Sequence, residues 1–178
     1  RFYFAKLKSL SPNTDGVFKL SAKLAQLEGN NTGAVKWCEE AYSSNPSDFE
    51  NVKMLINLLV QQEQWQKGIK FMSEAMEHHP GEPFLLEQLA TLLITCPDKS
   101  LRDIPAGIEY AERAFYHISS KSYTLTSAGR SLAMAHLMQG NKEEAMRTLQ
   151  LTIKMAKNER LPANYIAELE KVLTAMKQ

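Results

Sequence analysis

Residues 47–80, SDFENVKMLINLLVQQEQWQKGIKFMSEAMEHHP, decide the fold of this chain. In the first half, apolar residues recur at the spacing of one helical face: Val52, Leu55, Ile56, Leu59 and Val60. In the second half a similar stripe is formed by Trp65, Ile69, Met72 and Met76. The residue before a proline disfavours helical geometry, so we expect the second helix to stop at Pro80. The stretch therefore predicts two consecutive amphipathic helices, and Ser47 with Glu50 predicts a capping box at the start of the first.

The same pattern returns along the chain with a period of about 34 residues, which is within the range that marks helical repeat arrays. Prolines stand at positions 12, 46 and 80, at equal intervals. Small residues keep the same phase before two of these prolines, as Ala34 with Ala41 and as Gly68 with Ala75. Two helices approach closely only where a side chain is small, so a shared phase of small residues indicates a repeated helix pair. Further on, Gly107 and Ala114 keep the spacing of seven.

This pattern resembles the tetratricopeptide repeat family. In the family's register, repeats occupy 15–48, 49–82, 83–121 and 126–159, all within a single domain that spans 1–178. Residues 1–14 fit the second half of a partial repeat, and residues 162–178 fit a capping helix. The resemblance implies an all-α fold, a right-handed superhelical solenoid of antiparallel helix pairs with a C-terminal capping helix. It also implies a protein-protein interaction scaffold.

The match to the family pattern is imperfect in each repeat. The family's small residues at positions 8, 20 and 27 correspond to Ala22, Ala34 and Ala41 in the first repeat. Ile56 and Thr152 are larger than the pattern expects. The usual tryptophan at position 4 is absent throughout and is replaced by Phe18, Val52, Leu86 and Gly129.

Composition excludes several classes of protein. The chain has 178 residues, is 44% hydrophobic and 23% charged, and carries a formal net charge of +1. This balance gives no electrostatic footprint for nucleic acid, so we expect no nucleic-acid partner. No apolar run reaches the roughly 18 residues that a membrane span needs, so we expect no direct membrane insertion. The chain begins at Arg1 rather than Met, and we therefore expect it to be part of a longer protein.

The sequence does not decide the compartment. Two cysteines cannot form a disulfide framework, which favours a reducing compartment such as the cytoplasm and leaves the periplasm open.

The segment CPDKSLRD, residues 96–103, departs from the period. Gly107 lies five residues later than the repeat predicts, so the segment is a five-residue insertion in the turn between two helices. We expect Asp98 to close the turn and Asp103 to cap the next helix, with Pro105 in its first turn. The segment is similar to a longer turn found in bacterial tetratricopeptide proteins.

The residues of this segment give little indication of a catalytic or metal-binding site. Cys96 and His136 fall at the same end of their helices, but one Cys-His pair does not make a metal site. His78 and His79 lie roughly 20 Å away along a helix that rises 1.5 Å per residue. We therefore expect no catalytic residue, no cofactor and no metal, and the protein is predicted not to be an enzyme.

The resemblance implies a concave groove lined by the first helix of each repeat. The residues that we expect to bind a partner there are Lys19, Lys23, Lys53, Asn57, Phe84, Glu87, Arg130 and Met134. The groove would be cationic in its N-terminal half and more apolar toward its C-terminal half. A peptide with an acidic segment followed by apolar residues would complement it. The alternative is that the lysines are merely solvated.

Chaperone-binding members of the family hold a C-terminal carboxylate with a set of lysine, asparagine and basic residues. Lys19 fits this set, but Lys23, Met54, Phe84 and Gln88 replace its other members, so the sequence argues against that ligand.

Two functional hypotheses remain. The first is a scaffold that binds a protein or peptide in the groove. The second is a structural or self-association appendage of a larger enzyme, membrane-bound or secreted, whose catalytic domain lies elsewhere in the protein. Homo-oligomerisation is compatible with both.

Overall fold

A computed structural model describes Ser9 and residues 14–117 and 123–177. These residues form α-helices and one short 3-10 helix, and they contain no strand, which confirms the all-α prediction. Contacts between Cα atoms divide the chain into two compact units, Arg1–Pro80 and Gly81–Gln178. Apart from Ser9 and Thr14, the predicted partial repeat at 1–14 lies outside the described residues.

The described part of the first unit contains four helices. They are α1 (Asp15–Leu27), α2 (Asn31–Ser44), α3 (Phe49–Gln61) and α4 (Trp65–His78). The interval from the start of α1 to the start of α3 equals the interval from the start of α2 to the start of α4, and both equal the spacing of the prolines. The period read from the prolines is therefore the period of a helix pair.

Small residues lie where the helices of the first unit meet. Ala22 on α1 and Ala34 on α2 are both fully buried, and Ala41 is 1% exposed. Between α1 and α2, Gly29 has a φ of 72°, a left-handed conformation that glycine adopts without steric cost. Asn30 then caps α2, because its side-chain oxygen accepts a hydrogen bond of 2.9 Å from the backbone N–H of Gly33.

The cap of α3 differs from the prediction. Asp48, not Ser47, is the N-cap residue, and its carboxylate accepts a hydrogen bond of 2.9 Å from the backbone N–H of Glu50. One turn later, Asn51 is fully buried and donates to the carbonyl oxygens of Ala41 at 3.0 Å and Asn45 at 3.1 Å. Both carbonyl oxygens also accept a backbone N–H, so Asn51 adds a second donor to each and ties the end of α2 to α3.

The described part of the second unit contains five α-helices. They are α5 (Pro83–Thr95), α6 (Ile104–His117), α7 (Tyr123–Met138), α8 (Lys142–Asn158) and α9 (Ala163–Lys177), with a 3-10 helix at Lys99–Leu101 between α5 and α6. The start of α5 follows the start of α3 at the interval of the repeat, whereas α6 starts later after α4 than that interval predicts. The extra residues lie in the turn that the sequence identifies.

The enlarged turn is closed by its own hydrogen bonds. Asp98 accepts from the backbone N–H and the hydroxyl of Ser100, at 2.9 and 2.7 Å. Asp103 accepts from the backbone N–H of Ala106 at 3.0 Å, so the predicted cap of α6 is confirmed. Arg102 donates from Nε to the Cys96 carbonyl oxygen at 2.6 Å, which satisfies the end of α5.

Two glycines of the second unit allow helices to approach closely. A Cβ atom at Gly107 on α6 would lie 2.6 Å from Cγ1 of Ile94 on α5. A Cβ atom at Gly129 on α7 would lie 2.6 Å from Cγ2 of Thr152 on α8. Real Cβ contacts are not that short, so both positions require a residue without a side chain.

α9 covers the end of the second unit. Leu169 and Leu173 on α9 are 2% and 9% exposed and share a core cluster with residues of α7 and α8. The cluster consists of Ala133, Ala145, Leu149, Ile153, Leu169 and Leu173. The predicted C-terminal capping helix is confirmed.

Candidate protein-interaction surfaces

In the first unit, the predicted groove residue Lys19 is held by two carboxylates. Its Nζ lies 2.9 Å from Oδ2 of Asp15, one turn earlier, and 2.5 Å from Oδ2 of Asp48, the cap of α3. Burial alone would lower the pKa of Lys19, but the hydrogen bonds and charges of Asp48 and Asp15 outweigh it and raise the pKa. Lys19 therefore links α1 to the start of α3, and its charge is compensated.

The other two lysines of the first unit differ from each other. Lys53 on α3 forms an ion pair with Glu50, and its Nζ lies 5.6 Å from the centre of the Phe49 ring. Lys23 on α1 is exposed, and among the described residues no carboxylate lies within ion-pair distance of it. Asn57 on α3 is exposed as well. Of the three predicted cations in this unit, Lys23 is the one whose charge is available to a partner.

In the second unit, Glu87 is buried rather than exposed. Only 2% of this α5 residue is accessible. Its Oε1 accepts from the hydroxyls of Thr91 at 3.0 Å and Ser127 at 2.5 Å, and its Oε2 accepts from Nε2 of Gln88 at 2.7 Å. These hydroxyl and amide donors replace the water that a carboxylate loses on burial.

The polar network of Glu87 joins two helices. Ser127 lies on α7, and Thr91 also shares a hydrogen bond of 2.8 Å with Ser131 on α7. The network thus fixes α5 against α7. A predicted partner-binding carboxylate is here part of the internal structure, and hydroxyl groups at Thr91 and Ser127 lie around it.

α7 carries two exposed apolar residues on adjacent turns. Met134 is 43% exposed, and Met138, one turn further on, is 44% exposed. Arg130, one turn before Met134, is exposed, and its guanidinium lies 3.9 Å from the carboxylate of Glu168 on α9. Phe84 at the start of α5 is half-buried. α7 therefore presents one loosely paired cation followed by two flexible apolar side chains.

Sequence reasoning omitted Met138 from the candidate site. The signal was available, since Met138 follows Met134 by four residues and helical residues with that spacing share a face.

Neither cysteine is available for chemistry. Cys38 and Cys96 are each 1% exposed. Burial, and to a smaller extent the charge of Glu39, raises the pKa of Cys38 to about 11, so its thiolate form is scarce near neutral pH. Among the described residues, no group of three or more histidine, cysteine or acidic side chains is arranged to hold a metal ion. No described helix has both the length and the apolar character needed to cross a bilayer.

Comparison with known proteins finds similar structures but no similar sequence. No protein-family model and no curated protein sequence matches the chain. The structure is similar to the crystal structure of MamA protein, with a TM-score of 0.67 over 93% of each chain and 12% sequence identity. It also overlaps the crystal structure of yeast Tom70, with a TM-score of 0.49 and 16% identity, and covers 42% of that chain. The likeness to MamA shows a shared fold, the helical-repeat fold of tetratricopeptide type.

Proposed function

We propose that this chain is a non-enzymatic protein-protein interaction scaffold. Within each unit, the partner binds along the first helices of the repeats, α1 and α3 in one unit and α5 and α7 in the other. The proposal keeps the peptide-binding face predicted from the sequence, but fewer of its lysines are left to attract an acidic segment. Because Lys19 and Lys53 are ion-paired, attraction of an acidic segment rests on Lys23.

The observation that carries the proposal is the exposure of Met134 and Met138 on adjacent turns of α7. Methionine is flexible and polarisable, and it suits surfaces that adapt to a partner's apolar side chains. The buried network around Glu87 holds α7 in place beside α5, so the methionines are presented by a fixed support. A partner with apolar residues would cover both side chains on binding.

The test is affinity capture of partners by the full chain, followed by quantitative mass spectrometry. The double substitution Met134→Glu with Met138→Glu should lose most of a partner that the unsubstituted chain captures. Leu151→Glu is the matched control, because Leu151 is 42% exposed but lies on α8. Equal recovery of every partner by the methionine variant and the control would rule out α7 as the binding surface.

The contribution of Lys23 is tested separately with Lys23→Glu. This substitution is preferable to changing Lys19. A glutamate at position 19 would lie beside Asp15 and Asp48, and the repulsion between the three carboxylates would destabilise the fold. A salt-dependent loss of capture with Lys23→Glu supports an acidic partner segment. Unchanged capture at low salt would contradict it.

The second candidate function is a self-association appendage of a larger protein. The same exposed methionines favour it, since an apolar surface of this kind can meet a second copy of the chain. Sedimentation analysis distinguishes the two functions. A concentration-dependent oligomer abolished by the methionine substitutions would favour self-association.

A further inference from the structure

The first unit contains a second surface that the proposed function does not use. It is a cleft of about 360 Å³ between α2 and α4, which we call the second-helix cleft. Leu55 and Leu59 of α3 form its floor, and Tyr42 of α2 and Phe71 of α4 form its aromatic walls. Its volume is at the lower end of the range of ligand-binding clefts, which is enough room for one large side chain.

Two side-chain contacts bridge the walls of the cleft. The rings of Tyr42 and Phe71 meet edge to face with their centroids 4.9 Å apart. Nearer the start of α4, Nζ of Lys67 lies 2.6 Å from Oε1 of Glu39 on α2. Both members of that ion pair are more than 40% exposed, so an incoming charged group can exchange with either of them at little cost.

The charges along α4 are ordered. Lys67 and Lys70 come first, and Glu74 and Glu77 follow about 10 Å further along a helix that rises 1.5 Å per residue. Lys70 is 78% exposed and lies 3.7 Å from Glu74, so this pair is weak and both charges remain open to a partner. Burial is the main cause that raises the pKa of Tyr42, and the negative charges of the nearby Glu74 and Glu77 add to it.

We propose that the second-helix cleft docks an amphipathic helix of a partner protein, with a large apolar side chain between an acidic and a basic residue. The apolar side chain enters the cleft over Leu55 and Leu59 and packs against the paired rings of Tyr42 and Phe71. The acidic residue pairs with Lys67 and Lys70, and the basic residue pairs with Glu74 and Glu77. A cleft walled by two helices accepts the ridge of a third, and the order of charges selects a partner that carries both signs. This site is independent of the first-helix residues of the proposed function.

Three synthetic helical peptides test the order of charges. Each peptide has a central phenylalanine with one charged residue on either side, one to two turns away. The first peptide has one acidic and one basic flanking residue. The second has two acidic residues, and the third has two basic residues. Binding to the full chain is measured by fluorescence anisotropy at low salt. The mixed peptide should bind about three-fold more tightly than either of the others. Because a helix can enter in either direction, comparing mixed with like-charged flanks does not depend on its orientation.

Two matched substitutions locate the binding. Ser43 lines the cleft and is exposed, whereas Ser44, the next residue, is exposed and does not line it. Ser43→Trp should fill the cleft and weaken the mixed peptide about ten-fold or more, whereas Ser44→Trp should not. Lys70→Glu should move the preference to the peptide with two basic flanks. Circular dichroism checks that each variant keeps its helices.

The proposal is overturned by equal affinity for the three peptides, by equal effects of Ser43→Trp and Ser44→Trp, or by no binding at the solubility limit. It is also overturned if sedimentation reveals a dimer that Ser43→Trp dissociates and Ser44→Trp does not, because a second copy would then occupy the cleft. None of these results depends on Met134 or Met138, so this proposal and the proposed function can fail separately.

Discussion

Gly129 on α7 and Thr152 on α8 form a complementary pair, in which the side chain of Thr152 occupies the space that a Cβ atom at position 129 would need. In sequence these are two separate departures from the family pattern, a glycine where tryptophan is usual and a threonine where a small residue is usual. In the structure each departure explains the other. The two helices keep their close approach because the small residue is on α7 and the larger one on α8.

Gly129→Ala should lower the free energy of unfolding. Overpacking of this kind costs about 1–3 kcal/mol, and the helix propensity gained by alanine offsets about 1 kcal/mol of it. In a Thr152→Ala background the same substitution should cost at least about 1 kcal/mol less, since two of the three crowding atoms are gone. Urea unfolding followed by circular dichroism measures the free energy of unfolding of the unsubstituted protein, the two single variants and the double variant.

Gly16→Ala is the matched control for this cycle. Among the described residues, apart from its chain neighbours and the backbone of its own helix, nothing lies within 4 Å of a Cβ at Gly16, so the substitution should stabilise α1 by about 0.5–1 kcal/mol. Additive effects of Gly129→Ala and Thr152→Ala would show that the two residues are not coupled.

Asn51→Asp should destabilise the first unit in a pH-dependent way. At neutral pH the new carboxylate would face the carbonyl oxygens of Ala41 and Asn45 without a proton to donate. The expected loss is about 2 kcal/mol or more. Burial beside two acceptors raises the pKa of that carboxyl in the folded state, so the loss should shrink as the pH falls and the carboxyl is protonated. A loss that is independent of pH between neutral and mildly acid conditions would contradict this account.

Asp48 should make the free energy of unfolding depend on pH in the acid range. The hydrogen bond from Lys19, followed by that from the backbone N–H of Glu50, lowers the pKa of Asp48 below its usual 3.8. Its stabilising contribution is therefore present above that pH and is lost as the pH falls through the folded value. Asp48→Asn keeps a capping side chain and removes the charge. It should cost about 0.5–1 kcal/mol at neutral pH and close to nothing in strong acid.

Asp48→Ala is the comparison for Asp48→Asn, because it removes the cap as well. Its additional cost of about 1 kcal/mol should persist at every pH. Identical pH profiles for the asparagine variant and the unsubstituted protein would show that the Lys19 contact contributes nothing to folding.

The two thiols should be nearly inert in the folded protein. With a pKa of about 11, Cys38 exposes little thiolate at mildly alkaline pH, and both cysteines are buried. Reaction with a disulfide reagent should be about 100-fold slower than for a free thiol and should become fast in denaturant. Single Cys38→Ser and Cys96→Ser variants show which thiol accounts for each part of the reaction with the reagent. Cys96→Ser should also leave metal content unchanged. A fast native phase would show that one of the thiols is accessible.

Much of the fold can be predicted from residues that act locally. The prolines, the apolar stripes and small residues such as Ala22 and Ala34 predict the helix pairs, because packing of neighbouring helices follows from spacing alone. The helix cap at Asp48 was missed by one residue, since Ser47 and Asp48 are both good caps and the sequence does not say which one faces the helix.

The burial and charge pairing of surface residues are harder to predict, because they depend on contacts with residues that are distant in the sequence. Lys19 looks available in sequence, yet Asp48, 29 residues away, compensates its charge. Glu87 falls at a groove position, but the hydroxyl of Ser127 on α7 reaches it from 40 residues away, and the carboxylate is buried. The repeat register places a residue on a helix face, whereas its burial and charge pairing depend on the residues that the next helix brings to that face.

The enlarged turn after α5 bears on how such a chain can change in length. The hydrogen bonds of Asp98, Arg102 and Asp103 run to residues between positions 93 and 107, so the turn is stabilised by its immediate neighbours. Beyond it, Gly107 on α6 approaches Ile94 on α5 closely, so the packing of the two helices does not use the residues of the turn. We therefore expect this connection to be the place where the chain can gain or lose residues at the least cost to helix packing.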